Sequence, residues 1–565
     1  MEYQEAYKNW KENPFFNAEI HQELEQIEGN DEEIQDRFYQ ELHFGTAGLR
    51  GKLGAGTNRM NIYTVAKATE GFARMLEEEG EEAKKRGVVI GYDIRHKSKE
   101  FAEITAGVFA AHGIHVFLHP HIVPTPVVSY SIRKLSAYAG VMITASHNPK
   151  IYNGYKAYGS QGSQILDDWA NRIEEKIAQV EDYASISCLQ GEEALEKGIL
   201  EYVPSELMES YYQDVLSLTI HEGEALDKDI CLVYSPLNGC GNLPVRNILK
   251  ERGFHNVHVV KEQENPDPDF TTVGYPNPED PQAFRLSEKL GKEVSADILL
   301  ATDPDSDRLA MEVKNEQGDY VFLNGNRIGA LLIYYIVTEK AAQGTLPKKG
   351  AIIKSIVTGD ISKAIAREYG LTVFETLTGF KNIAKPANDW DSTGEYDFLF
   401  GYEESIGFNH GPFVRDKDAV SSSMLVAEMA AFYKKKGLSL LQVLDKIYQH
   451  YGYYNEKLQS VVLEGLDGSA RIQRIMDDFR AHPIQEVEGI ACKEITDYQK
   501  DDTGLPKSNV LKYHYEDGSW YAIRPSGTEP KIKVYIYTKS SSKEGSEKKI
   551  DSFFRVIEEK MKEVK

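Results

Sequence analysis

The stretch ADILLATDPDSDR, residues 296–308, decides how the chain is read. An apolar run of strand length stops abruptly at Asp303-Pro304, and a charged loop follows. The same grammar recurs in GVVIGYDIR (87–95), AGVMITASHNP (139–149), ICLVYSPLNGCGN (230–242), AIIKSIVTG (351–359) and YDFLFGYEES (396–405), often with a helical pattern after the loop. Near-continuous apolar strands alternating with helices indicate βαβ units and buried, largely parallel sheets. Ligands of such sheets gather at loops beyond the carboxyl ends of strands, so each loop is a candidate site.

The C-terminal stretch reads differently. Residues 508–538 alternate polar and apolar, Asp517-Gly518 is a hairpin signal, and a helical tail follows. This predicts a smaller α+β domain with an antiparallel sheet. The whole is an α/β chain of 565 residues, enough for roughly three to five domains at ~100–200 residues each. Breaks near Pro204, around Gln317–Gly318 and near His450–Gly452 divide it into 1–203, 204–318, 319–449 and 450–565. The tandem strand–loop–helix blocks predict that the first three share a build.

Apolar residues make up 41% and charged residues 27%, which excludes a mainly disordered chain. The net charge of −23 opposes nucleic acid and anionic membranes as partners, but not a small anion in a local basic pocket. Cys188, Cys231, Cys240 and Cys492 have neither zinc nor disulfide-framework spacing and are read as reduced thiols of a cytoplasmic protein. MEYQEAYKNWKENPFF carries no signal-type apolar stretch. The clearest apolar run, Ile328 to Val337, is short of the ~20 residues that span a bilayer and is read as a core helix.

Asp303, Asp305 and Asp307 follow the strand at i, i+2 and i+4, which in extended chain puts three carboxylates on one face. Only a cation relieves their repulsion, and all-oxygen ligation suits Mg²⁺ or a similar hard ion. An EF-hand is excluded, because Arg308 and Lys314 stand where that loop needs Gly and Glu. Ser146 in TASHNP does not match the hydrolase elbow; alone it reads as a cap or turn residue. His147 beside it adds little, since neighbouring side chains of extended chain diverge. Lys156 in YNGYK is a candidate acid/base or phosphate contact. RPSGTEPK combines Arg524, Ser526, Gly527, Thr528 and Lys531: a planar fork, two hydroxyls and an approachable backbone, as a phosphate clamp requires. Glu403 and Ser405 in GYEES share a face suited to sugar hydroxyls. Arg415 and Lys417 in VRDKD, and Thr378, Gly379 and Lys381 in TLTGFK, are polar loop residues of the same kind. Together these loops point to phosphoryl transfer on a sugar phosphate.

TASHNP with YNGYK, DPDSDR, GYEES and RPSGTEP, with FGTAGLRG (44–51), GYDIR (91–95) and TLTGFK (376–381), closely resemble the α-D-phosphohexomutases over essentially the whole chain. Within that family they look like the bacterial phosphoglucomutase branch, related to phosphopentomutases and glucose-1,6-bisphosphate synthases. The resemblance implies three similar α/β domains and a smaller fourth around a central cleft, and an isomerase exchanging glucose 1-phosphate and glucose 6-phosphate, with pentose or mannose phosphates as alternatives. It implies a phosphoryl group on Ser146, Mg²⁺ held by Ser146, Asp303, Asp305 and Asp307, and Lys156 as acid/base with His147 and Arg50 in the catalytic set. Arg308, Thr378, Gly379, Lys381, Glu403, Ser405, Lys417, Arg524, Ser526, Gly527 and Thr528 would bind substrate. A sugar bisphosphate would serve as intermediate and activator, in a monomer or weak dimer. Ile406, Gly407 and Phe408 follow Ser405 where some hexomutases place a histidine, the nearest here being His410.

Overall fold

The computed structural model describes residues 2–45, 48–463, 466–526 and 531–564. The chain forms two compact units, one of residues 1–328 with 384–439, the other of 329–383 with 440–565.

The first unit opens with three short helices, Glu2–Glu12, Ala18–Gln26 and Asp31–Phe38, the last two capped by the side chains of Asn17 and Asn30. Their apolar faces close a small core of Trp10, Phe16, Ile20, Leu24, Ile34 and Phe38 against Tyr63. A six-stranded sheet follows, built from β1 (Leu49–Lys52), β2 (Val88–Tyr92), β3 (Val116–Leu118), β4 (Ala139–Ile143), β5 (Tyr152–Gly159) and β6 (Leu200–Tyr202) in the order β1-β5-β4-β2-β3-β6. β2 pairs parallel with β3 and β4, and β3 with β6; β5 turns back antiparallel on β4, and β1 on β5. VVIGY and AGVMI are buried at every position because both faces are covered. Val88 and Ile90 pack with Phe72, Phe101 and Phe109, while Gly91 lies under Val128 of the helix Thr125–Lys134.

A second sheet repeats the plan. β7 (Leu232–Ser235), β8 (Val257–Val259), β9 (Ile298–Thr302), β10 (Leu309–Lys314) and β11 (Tyr320–Leu323) lie in the order β11-β10-β9-β7-β8, with β7, β8 and β9 parallel and β10 and β11 antiparallel. The sheets are thus mixed, each a parallel set extended on one edge by antiparallel returns.

The second unit contains the parallel pair β12 (Gly350–Ser355) and β13 (Thr372–Thr376). Of the same sequence stretch, β14 (Asp397–Glu403) and β15 (Gly407–Asn409) form an antiparallel pair in the first unit. The C-terminal sheet runs β16 (Tyr453–Val462), β17 (Glu486–Val487), β18 (Ile490–Asp497), β19 (Leu511–Tyr515), β20 (Trp520–Pro525) and β21 (Lys531–Ser540) in the order β16-β21-β20-β19-β18-β17, every pairing antiparallel. Helix residues Ile475, Met476, Phe479, Phe553 and Ile557 cover one face of it. The Asp517-Gly518 turn joins β19 to β20 as expected.

Ile328–Val337 lies inside the helix Gly325–Ala342 and is almost wholly buried, a core helix. No described helix is long and apolar enough to cross a membrane. The four cysteines are free thiols, Cys231 and Cys240 buried.

Candidate functional site

Three of the sequence-marked loops occupy one topological place. TASHNP joins β4 to its antiparallel return β5, DPDSDR joins β9 to β10, and GYEES joins β14 to β15. They are hairpin tips, not the strand-to-helix loops of a βαβ unit.

Ser146 sits at φ +51°, in the left-handed region, with its N–H donated to Thr144 Oγ1 at 2.8 Å. That conformation is uncommon for a non-glycine residue and needs support from its surroundings. Arg95 supplies it. Buried below the turn and ion-paired with Asp93 at 3.3 Å, it donates to the carbonyls of Ser146, Asn148, Pro149 and Tyr152. GYDIR was legible as a strand end, but nothing in its spacing announces this backbone grip. The left-handed turn also corrects the expectation for His147: its side chain does not diverge, and Nδ1 lies 3.2 Å from Ser146 Oγ. Burial, then the positive field of Arg308 and Arg50, pushes the His147 pKa well down, so the ring is neutral. Arg50 is exposed on β1 and donates to Asn148 Oδ1 at 3.2 Å.

Asp303, Asp305 and Asp307 are fully buried and offer oxygens within 4.8 Å of one another. Strand alternation does not bring them together, because residues 304–306 form a turn with Ser306 at φ +54°. The carboxylates converge around a bend. Beneath it runs the loop after β7, so closely that a Cβ on Gly239 would stand 2.4 Å from Pro304 Cα, while Cys240 N–H donates to the Pro304 carbonyl at 2.7 Å. Asp303 Oδ1 accepts the N–H groups of Asp307 and Arg308; its Oδ2 accepts the Ser146 hydroxyl at 2.8 Å. Asp305 Oδ2 accepts from Thr125 Oγ1 at 2.8 Å and Lys156 Nζ at 2.7 Å. Asp307 Oδ2 lies 3.2 Å from Lys156 Nζ and 3.1 Å from Lys417 Nζ. Thr125 was missed: a lone helix-start threonine carries no signal of its distant partner.

Burial and the neighbouring Asp305 and Asp307 push Asp303 well above the carboxylate range. Burial and Asp307 raise Asp305 too, but Lys156 outweighs them and leaves it lowered; burial raises Asp307 until Lys156, Lys417 and Arg308 reverse the direction. Asp305 Oδ1 and Asp307 Oδ1 are buried and accept no hydrogen bond. Three carboxylates, two of them with an orphaned oxygen, and an adjacent hydroxyl make a hard-oxygen set that fits a divalent cation.

Lys156 does not have the depressed pKa that a free general base would need. Burial lowers it, but Asp305 and Asp307 raise it further, so the ammonium stays charged. Lys417 is held the same way by Asp307 and Asp416.

Glu403 ends β14, and its charge acts on both Arg308 and Lys417. Ser405 does not share its face in an extended strand: 404–406 is a tight turn with Ile406 at φ +54°. The Arg308 backbone bridges to Gly407, which locks this turn to the aspartate loop. Arg308 itself faces Glu279 at 3.5 Å. Arg415 is buried and paired with Asp391 at 2.7 Å, a structural role. His410 is a core residue whose Nδ1 meets the Leu399 carbonyl at 2.6 Å.

The remaining candidates lie in the second unit. Thr378 and Gly379 precede the helix that starts at Phe380, with Gly379 at φ +101° and Lys381 in the helix's first turn. Arg524, on β20, donates a guanidinium hydrogen bond to Thr378 Oγ1. Ser526 N–H closes the base of its loop on the Lys531 carbonyl at 2.7 Å. Gly527 and Thr528 lie outside the described residues.

Four family models match in order: phosphoglucomutase/phosphomannomutase alpha/beta/alpha domains I (41–184), II (209–318) and III (324–451), and the C-terminal domain (472–549). Phosphoglucomutase from Staphylococcus epidermidis is 40% identical over 518 residues, 89% of this chain and 92% of that protein. The Staphylococcus aureus phosphoglucomutase is 38% identical over 524 residues, 90% and 92% of the two chains. Among solved structures, the open form of the Paramecium phosphoglucomutase parafusin superposes with a TM-score of 0.70 at 18% identity, covering 93% of this chain and 96% of that one. A phosphoglucomutase/phosphomannomutase family protein from Burkholderia thailandensis gives 0.67 at 18%, covering 92% and 97%.

Proposed function

The chain belongs to the phosphoglucomutase/phosphomannomutase family of isomerases, and on that footing we propose that it interconverts α-D-glucose 1-phosphate and glucose 6-phosphate with Ser146 as the phosphoryl carrier. The observation that carries this reading is the contact of Ser146 Oγ with Asp303 Oδ2 at 2.8 Å, at the rim of three buried carboxylates. A nucleophile beside a hard-cation site is the arrangement phosphoryl transfer needs.

Ser146, Asp303, Asp305 and Asp307 would hold Mg²⁺, which when bound neutralises charge on the transferring group. Phosphorylated Ser146 gives its phosphoryl group to a sugar hydroxyl; the Ser146 Oγ–phosphorus bond breaks as the sugar oxygen–phosphorus bond forms, and the proton lost by the hydroxyl is balanced by the one Ser146 Oγ takes up, exchanged through Lys156 and His147. The resulting glucose 1,6-bisphosphate turns round and returns its other phosphate to Ser146. The same bisphosphate, added from outside, would charge an unphosphorylated enzyme. Lys156 fits the second half of the cycle as it stands: opposite a free Ser146, its charged ammonium has the proton that the departing sugar oxygen requires. His147, neutral and 3.2 Å from Ser146 Oγ, can carry the serine's proton in both directions. Arg308, Lys417 and Arg50 balance phosphate charge, while Glu403 and Ser405 read sugar hydroxyls. Arg524, Ser526, Gly527 and Thr528, with Thr378, Gly379 and Lys381, grip the non-reacting phosphate.

The test is a substrate panel of glucose, mannose, ribose and deoxyribose phosphates with Mg²⁺ and glucose 1,6-bisphosphate. Glucose phosphates are expected to have the highest kcat/KM, and Ser146→Ala to abolish turnover and the phosphorylated mass while remaining folded. A higher kcat/KM for pentose phosphates would make the enzyme a phosphopentomutase; undiminished turnover by Ser146→Ala would remove the carrier mechanism.

A further inference from the structure

The second unit buries a cluster of charges that the reaction does not use. Lys354 on β12 is fully buried; its Nζ donates to the Thr358 carbonyl at 2.7 Å and meets Glu375 at 2.9 Å and Asp360 at 3.0 Å. Lys512 on β19 is also buried, donating to the Ile356 carbonyl at 2.7 Å, 3.6 Å from Glu375 and 4.3 Å above the Trp520 ring. Lys363 bridges Asp360 and Glu375, both at 2.9 Å. Trp520 on β20 donates its indole N–H to Asp360 at 2.9 Å, and Tyr537 on β21 stacks on Trp520 and accepts the Ile361 N–H at 3.2 Å. Gly359 lets the two chain stretches approach this closely, since a Cβ there would stand 2.4 Å from the Tyr537 ring.

The cluster joins two distant parts of the sequence next to the residues assigned to the phosphate. Glu375 lies on β13 three residues before Thr378, and Trp520 lies on β20 four residues before Arg524. Arg524 and Thr378 are hydrogen-bonded to each other. A buried charge network fixes geometry more strictly than apolar contact, because each partner displaced leaves an uncompensated charge. We propose that this network is the positioning device of the phosphate grip: it holds Thr378 and Arg524 at one separation, so that two chain stretches meet a phosphate as a single preformed pair. The proposal rests on the phosphate-binding role given above to these two residues, and it adds Glu375, Lys512, Asp360 and Trp520 as positioning residues.

Full-length Lys512→Met, Lys512→Arg, Glu375→Gln, Trp520→Phe and Arg524→Ala variants test it, with the Kd of glucose 6-phosphate measured by calorimetry beside KM, kcat and Tm. Lys512→Met and Glu375→Gln are expected to raise Kd and KM about ten-fold with kcat little changed, the pattern of lost uniform binding. Lys512→Arg should recover part of the loss, and adding Lys512→Met to Arg524→Ala should weaken binding no further. A lowered Tm with unchanged Kd would make the cluster mere structural support and overturn the proposal, as would an Arg524→Ala variant of normal affinity. Should the Lys512 variants not fold, Trp520→Phe reads the same effect through loss of one hydrogen bond. Wild type that binds glucose 6-phosphate without isomerising it would sink the mutase reading alone, because Kd still decides this one.

Discussion

Arg95 directs its guanidinium at backbone carbonyls of the Ser146 turn, so its work is to hold a shape. Lysine keeps the charge but has a compact ammonium that cannot reach four carbonyls at once. Arg95→Lys is expected to fold and to lose about 100-fold in kcat, since a small misplacement of a nucleophile costs that much. KM for glucose 1-phosphate should change little; a loss confined to KM in steady-state kinetics would make Arg95 a substrate contact instead. This residue also marks where reading the chain stops. The three aspartates stood out in the sequence because carboxylates at i, i+2 and i+4 need a cation to relieve their repulsion, whereas Ser146 alone reads as a turn residue and stood out only through the company of the other loops. The grip of Arg95 did not, since an arginine aimed at carbonyls has no partner type to look for. The pairing of His147 with Ser146 was hidden for a related reason: one left-handed φ inverts the divergence of adjacent side chains, and serine does not advertise that φ.

At the scale of elements, the residues proposed for the reaction sit on three hairpin tips. The apolar runs predicted the strands β2, β4, β7, β9, β12 and β14 because strands buried along most of their length carry few polar positions to blur them. The antiparallel returns β5 and β10 were harder to see. YNGYKAYG and LAMEVK mix polar and apolar residues, and their pairing is set by turns that sequence periodicity does not describe. The same-face argument for the triad therefore picked out three residues that do converge, but through the wrong geometry. The bend that does gather them depends on Gly239, which lies against Pro304. Gly239→Val would press its side chain against the aspartate loop at Pro304. Apparent Mg²⁺ affinity, from activity titrated against metal and from direct calorimetry, is expected to fall about 10–100-fold, as when other supports of metal ligands are removed. Unchanged affinity would mean that the bend holds without the loop beneath it.

For the whole molecule, the buried charges of the second unit make stability depend on pH. Burial pushes the Lys512 pKa down to about 8 against the pull of Glu375 and Asp360. Unfolding returns it to its ordinary value near 10.5, so between those limits the unfolded chain binds more protons and stability rises with pH. Below about pH 8 both forms are protonated and the cost of burying the charge is constant. The stability of wild type relative to Lys512→Met is accordingly expected to improve on going from pH 8 to 10, by an amount on the order of 3 kcal/mol across the full window. Denaturant titrations at several pH values measure it; a flat difference would mean that Glu375 and Asp360 fully offset the burial of the Lys512 charge.

The two compact units are not consecutive in the gene. The chain passes from one to the other after residues 328, 383 and 439, and the helices Gly325–Ala342 and Phe380–Thr393 run straight through the first two of those points. No single recombination event can therefore exchange one unit for a relative's, and a chimera joined at any one point mixes foreign sequence into at least one of the two packed interiors. The unit that carries Thr378 and Arg524 and the unit that carries Ser146 are bound to descend together.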